Sequence, residues 1–434
     1  MIGTWRNTVG MLACCAATAC GSAPVLPTAR PQPTTRSRPT ELPVATASPA
    51  PSAPVAEERA PAPYPGGPAL LDEVLSLITN EYIDAGDATF DTQTLRDKYR
   101  PIVAAADDRA QVYQAMAALV DALGDRHSRF VPPAAAASLA SDGAIPRATA
   151  GIGALLTPVR GGALVQVVYP ESPAARANIQ ARDRIIAVNG RAYTPQDGDL
   201  TGEIGDIVRL AIARPGTKPY DVVLHYAPFT PHIVPTSQRF AGDIGYLAIP
   251  SLWVDDMGDR VSGALTDLLA AGRLQGLIID LRGNRGGWEP VLVNILGHFS
   301  RGTVGSFVGP GGVRPLAIRA TSGPDLRAMP LVVLIDGETS SYAEVLAAVL
   351  RRESDAQIVG ARSAGNTETI YSHTLSDGSQ LWLAQERFRM RDGSTLEQIG
   401  VTPDIELDID WATFSLEDDP HILDALRLLG AGPK

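Results

Sequence analysis

Apolar residues change their spacing twice along this chain, and no single sheet or helical bundle satisfies all three patterns. Between Leu70 and Phe130 the positions Leu70, Leu71, Val74, Leu75 and Ile78, then Val112, Met116, Leu119, Val120 and Leu123, recur at helical intervals and stop at Gly124. From Ala148 to about Phe229 they give way to short β-branched runs broken by Gly and Pro: Leu164–Val168, Arg184–Val188, Val208–Ala213 and Val222–Tyr226. From Gly245 onward, strands such as Leu277–Asp280 and Leu331–Ile335 alternate with helices such as Val261–Ala271 and Ala343–Arg352, the order of βα units. A chain of 434 residues, 45% of them apolar, has room for this many cores. The pattern predicts a multidomain α+β protein: an N-terminal helical domain over 69–147, a β-rich module over 148–229, and an α/β core over 230–434 that ends in a helix.

The first 68 residues read differently. Arg6 precedes a small, apolar run from Val9 to Ala19, too short to span a bilayer, and the run ends in Ala17-Thr18-Ala19-Cys20-Gly21. Residues 1–19 therefore read as a signal peptide and Cys20 as a lipidated first residue, although Ala17 stands where Leu is commoner in a lipobox and simple secretion is the other reading. From Ser22 to Pro68 the chain is mostly Pro, Ala, Thr and Ser, which cannot repay the entropy of ordering, so 20–68 reads as a disordered tether. The expectation is an exported protein of the periplasm or cell surface, held to the membrane through a lipid at Cys20.

Charge and cysteine usage narrow the chemistry. A net charge of −11 and a pI near 5.1 argue against nucleic acid as a partner. All three cysteines, Cys14, Cys15 and Cys20, precede the folded segments, which leaves no disulfide, zinc thiolate or nucleophilic Cys beyond them. No ligand cluster or phosphate-cradling motif points to a metal or an organic cofactor. Catalysis by this chain would rest on oxygen and nitrogen groups.

The run from Pro330 to Arg352 reads as a buried strand, a short loop and a helix that starts near Ser341. Ser341 with Glu344 three residues on satisfies a capping box; equally, a serine there has unpaired N–H groups and a favourable helix dipole beside it, as a nucleophile needs. Gly286-Gly287 reads either as a tight turn or as a loop that aims an N–H at a developing oxyanion opposite the Tyr342 amide. Gly151-Ile152-Gly153 is either a turn or a loop whose N–H groups receive a carboxylate.

Together these blocks carry a resemblance. The segment SPAARANIQARDRIIAVNGR, Ser172 to Arg191, with Gly151-Ile152-Gly153, resembles a PDZ domain, except that Asn178 and Arg182 stand where Gly is usual. LGDRHSRF at 123–130, IDLRGNRGG at 279–287, ETSSYAE at 338–344, GARSAGNTE at 360–368 and GVTPD at 400–404 are similar, in the same order, to the C-terminal-processing (tail-specific) and tricorn-like serine peptidases. The resemblance implies a helical N-terminal domain, a PDZ module and a crotonase-like α/β peptidase core. It also implies Ser341 as nucleophile, the Gly287 and Tyr342 amides as oxyanion hole, and peptide or protein substrates with a free C-terminus read by Gly151, Ile152 and Gly153.

One departure bears on mechanism. Where processing peptidases with a Ser-Lys dyad carry the lysine base, this chain has Asn366, and its lysines are Lys98, Lys218 and Lys434, none of them in a core block. The tricorn-like branch implies instead His127 as base, Glu397 to orient it directly or through Ser128, and Glu344 and Asn366 as support. The competing expectation is a catalytically silent PDZ lipoprotein that only binds peptides.

Overall fold

The computed structural model describes residues 65–86, 90–125, 127–140 and 150–431, all within one compact unit that begins at Ala60. The expected signal peptide, Cys20 and nearly all of the tether lie outside the described residues, as does Arg126 of the 123–130 block. The first described helix, Gly67–Glu81, takes in the last residues assigned to the tether. Pro68 stands in its first turn, where a missing N–H costs nothing.

Helices Gly67–Glu81, Thr92–Ala104 and Arg109–Asp121 pack on one another through Leu71, Val74, Ile78, Met116 and Leu119. Asp91 and Asp108 cap the second and third by accepting amide hydrogens of the first turn. The same apolar cluster takes in Leu375, Leu381, Leu383 and Ala384 from the far end of the chain. A strand at Arg129–Val131 also leaves the helices to pair with Gln380–Met390. The helical segment is thus joined to the core by a shared hydrophobic face, because three short helices do not cover the apolar side of that strand and themselves at once.

The β-module is an antiparallel sheet in the order Ala154–Val159, Gly162–Val168, Arg184–Val188, Ile207–Ala213, Tyr220–His225, with the short helix Pro173–Arg176 capped by the Ser172 hydroxyl. Asn189 and Gly190 both take positive φ and turn the chain between Val188 and Arg191. Asn178 (φ 57°) and Arg182 (φ 71°) occupy the left-handed region as well, so the backbone keeps the shape that glycine would favour at both departures.

The core sheet runs in sequence order. An antiparallel edge strand, Thr236–Phe240, is followed by parallel strands Ile244–Ala248, Gly276–Asp280, Leu331–Ile335, Gln357–Gly360 and Ile405–Glu406. Helices Met257–Ala270, Glu289–Leu296 and Tyr342–Ser354 cover one face, packing on Leu277, Ile279, Val333 and Ile335. Helix Pro420–Leu428 covers the other through Ile422 and Ala425. A second, antiparallel sheet built from Gly302–Gly309, Gly312–Ile318, Glu368–Thr374, Gln380–Met390 and Arg129–Val131 has no counterpart in the sequence reading. Three loops leave the carboxyl ends of the parallel strands, after Asp280, Ile335 and Gly360. In open α/β sheets this end is where ligands bind.

Candidate active site

Ser341 is the last residue before helix Tyr342–Ser354, at φ 57° and ψ −132°. A side chain tolerates that conformation poorly, so the surroundings must hold it. They do so through Glu344, whose side chain is fully buried. One carboxylate oxygen accepts the Ser341 amide (3.0 Å) and the Asn366 amide (2.9 Å); the other accepts the Ser363 hydroxyl (2.6 Å) and the Gly365 amide (2.7 Å). The Ser341 amide also reaches the Asn366 carbonyl at 2.8 Å. Burial pushes the Glu344 carboxyl up, and its four donors pull the other way. Glu344 is therefore a helix cap and, equally, the brace that ties the 360–368 block to the elbow under Ser341. Asn366 occupies the place beside Ser341 with its backbone.

The second wall is the loop after Asp280. Asp336 accepts the Gly283 and Thr339 amides, at 2.9 and 3.0 Å. The Asn284 side chain donates to the Ile249 carbonyl (2.8 Å) and accepts the Gly286 amide (2.9 Å), while the Asn284 carbonyl takes the Ser340 amide (3.0 Å). Arg282 and Asn284 thus pin the loop from beneath. Gly286 (φ +80°) lies so close that a Cβ there would stand 2.7 Å from the Ser341 Cβ and 2.9 Å from the Tyr342 nitrogen. A Cβ on Gly287 (φ +153°) would fall 1.9 Å from the Leu252 carbonyl carbon, because Leu252 bonds to both flanking residues, Gly286 and Trp288. The Gly287 and Tyr342 amides donate no hydrogen bond among the described residues, and with Ser341 they line a cavity of about 530 Å³.

The remaining expected residues approach from the second sheet. Asp125 accepts the amides of His127 (2.7 Å) and Ser128 (2.5 Å), which fixes the turn that carries the imidazole. The Ser128 hydroxyl is buried and accepts the Ala384 amide at 3.0 Å, so it anchors this turn to strand Gln380–Met390. Glu397 accepts the Thr367 amide (2.7 Å) and hydroxyl (3.2 Å). Gly151, Ile152 and Gly153 are all buried; the Ile152 amide already donates to the Leu200 carbonyl, and Gly153 packs on Ser172. The expected carboxylate loop is closed here by its own module.

Sequence reasoning missed Glu368. It lines the Ser341 cavity, its side chain is 3% exposed, and Arg387 binds it while also bridging to Asp84 (3.2 Å) of the helical segment. Burial, opposed by Arg387 and reinforced by the carboxyls of Glu397 and Asp125, leaves Glu368 pushed up to about 7. The residue stands in the 360–368 block, but nothing in the block marks it.

Comparison with known proteins agrees with this architecture. The profile of peptidase family S41 matches residues 243–407, and that of the PDZ domain matches 164–218. The chain is 28% identical over 392 residues to the chloroplastic C-terminal processing peptidase of Tetradesmus obliquus, spanning 83% of this chain and 82% of the relative. It is 24% identical over 355 residues to a carboxy-terminal processing protease of Bacillus subtilis, spanning 78% of this chain and 67% of the relative. Among solved structures, the photosystem II D1 C-terminal processing protease superposes with a TM-score of 0.61 at 27% identity, over 85% of this chain and 99% of that one. Residues 243–407 thus form a serine peptidase domain of family S41 and residues 164–218 a PDZ domain, in a chain similar to the C-terminal-processing peptidases.

Proposed function

We propose that this chain is an exported endopeptidase that cuts unfolded tails or peptides by acyl transfer through Ser341. In this reading His127 takes the Ser341 proton, Glu397 orients the imidazole, and the Gly287 and Tyr342 amides hold the oxyanion. The observation that carries it is the elbow itself: a serine braced at positive φ at a helix N-terminus, facing a cavity beside two amides that donate to nothing else among the described residues. Such donors need no reorganisation when charge develops on the carbonyl oxygen. With Asn366 in the lysine's place, His127 supplies the imidazole in a matching block, and an imidazole suits proton transfer. Its link to Ser341 is to tighten as substrate closes the site, since catalytic hydrogen bonds are often long or poorly aligned before the Michaelis complex. The PDZ module recruits free C-termini once its Gly151–Gly153 loop opens, and a lipid on Cys20 tethers the enzyme to the membrane it was exported across.

The test is fluorophosphonate labelling together with kinetics on a quenched peptide. Wild type labels at Ser341. Ser341→Ala and His127→Ala each lose roughly three or more orders of magnitude in kcat, and the double variant loses little more, as members of one catalytic unit do. Asn366→Ala keeps much of the activity. Full activity of His127→Ala would refute the assigned base, and an unacylated mature N-terminus by intact mass would refute the anchor.

A further inference from the structure

The cavity beside Ser341 has an unusual lining for a peptidase cleft. Trp253 and Trp288 meet edge to face at 4.9 Å, and Tyr342 and Trp382 add further aromatic wall. Its charged lining residues are Glu289 and Glu368, both acidic. Glu289 binds Arg314 through both carboxylate oxygens, at 2.7 and 2.8 Å, an arginine that also binds Glu386 at 2.8 Å. Glu368 is not satisfied in the same way, because both Arg387 bonds fall on Oε1 and Oε2 accepts none among the described residues. Arg387 is moreover shared with Asp84, and the carboxyls of Glu397 and Asp125 act on the same spot. One guanidinium thus serves two carboxylates while two further carboxyls act on Glu368, and the local field favours another cation. Behind the lining, the Arg129 guanidinium lies over the Trp382 ring at 4.1 Å.

We propose that this cavity is a specificity pocket for a cationic side chain, the lysine or arginine of a peptide substrate, with Oε2 of Glu368 as its counter-charge and the indoles as its walls. Aromatic faces attract a desolvated ammonium or guanidinium. A buried carboxylate supplies the partner without which burying that charge would be prohibitive. The proposal rests on the peptidase reading above and deepens it. Because Glu368 is pushed up to about 7 by burial and by Glu397 and Asp125, against the pull of Arg387, it is ionised above that pH and protonated below it. Preference for a cation therefore rises with pH.

The experiment uses quenched peptides that differ only in the residue before the scissile bond: lysine or its uncharged isostere norleucine. The expected result is a kcat/KM ratio of lysine to norleucine of about tenfold or more at about pH 8, shrinking towards unity near about pH 6. In Glu368→Gln the pH 8 ratio falls by about tenfold, and in Glu368→Asp, which keeps the charge, it is largely retained. A second measurement needs no turnover: tryptophan fluorescence of Ser341→Ala titrated with product peptides ending in lysine or norleucine, where lysine binds tighter. If no peptide is cleaved but the lysine product still binds in this Glu368-dependent way, the peptidase reading fails and the pocket stands. Equal or better use of norleucine at pH 8, or a lysine preference that survives Glu368→Gln, overturns the pocket.

Discussion

Ser341 pays for its position in backbone strain. At φ 57° and ψ −132° a Cβ-bearing residue costs about 1–3 kcal/mol, and only glycine adopts this region freely. Ser341→Gly and Ser341→Ala should both be inactive, but they should differ in stability. Relief of strain exceeds the extra unfolded-state entropy of glycine, so Ser341→Gly should be the more stable by about 1 kcal/mol in denaturant melts. If alanine proves the more stable, the elbow is relaxed and Glu344 is no more than a cap. The same residue shows how far single positions could be read in sequence. Ser341, with a strand before it and Glu344 after it, was legible as a helix start, since the cap and the nucleophile need the same pattern. Glu368 was not, because what distinguishes it is Arg387 and, through Arg387, Asp84, a partner 303 positions from that arginine.

The loop Arg282–Gly287 shows what an element adds to its residues. It is pinned at both ends, by Arg282 on Asp280 (2.6 Å) and by the Leu252 bridge at Gly287, and its middle is held by Asn284. Gly287→Ala should therefore act on catalysis through geometry. A Cβ at 1.9 Å from the Leu252 carbonyl carbon cannot coexist with the hydrogen bonds from the Leu252 amide to the Gly286 carbonyl and from the Trp288 amide to the Leu252 carbonyl. The expected outcome is loss of about two or more orders of magnitude in kcat, the scale of a lost oxyanion donor, with retained secondary structure by circular dichroism. Activity within a few-fold of wild type would remove the Gly287 amide from the site. At this scale the parallel strands were legible because their residues are buried on both faces and read as unbroken apolar runs, as in Leu331–Ile335. Strand Gln380–Met390 was not, since its burial follows no clean alternation and two of its three partners lie in distant segments.

On the scale of the whole molecule, the question is how firmly the PDZ module is seated, and Arg182 decides it. Its side chain crosses to the C-terminal segment, donating to the Phe414 carbonyl (3.2 and 3.1 Å), the Trp411 carbonyl (3.3 Å) and Asp419 (2.8 Å). Asp419 is fully buried and also binds Arg282 at 2.9 Å, whose guanidinium lies 4.0 Å from the Trp411 ring centre. A single carboxylate therefore joins the module to the arginine that opens the oxyanion loop, and Gln166 of the module adds a bond to the Arg282 carbonyl at 3.0 Å. Arg182→Gly sets two effects against each other. Glycine relieves the cost of a side chain at φ 71°, about 1–2 kcal/mol. Losing Arg182 leaves Arg282 as the cation shared by Asp280 and Asp419, an uncompensated buried charge of the kind that costs about 3–5 kcal/mol. The second effect is the larger, and the exposed pairs Arg209–Asp221 and Arg160–Asp408 cannot offset it. The variant should show faster amide exchange across the module's strands and near Trp411, with the strands Gly276–Asp280 and Leu331–Ile335 protected as in wild type. Exchange in the module that stays at the wild-type rate would mean that its seat is made by apolar packing, and that the arginine which replaces glycine here does not hold it.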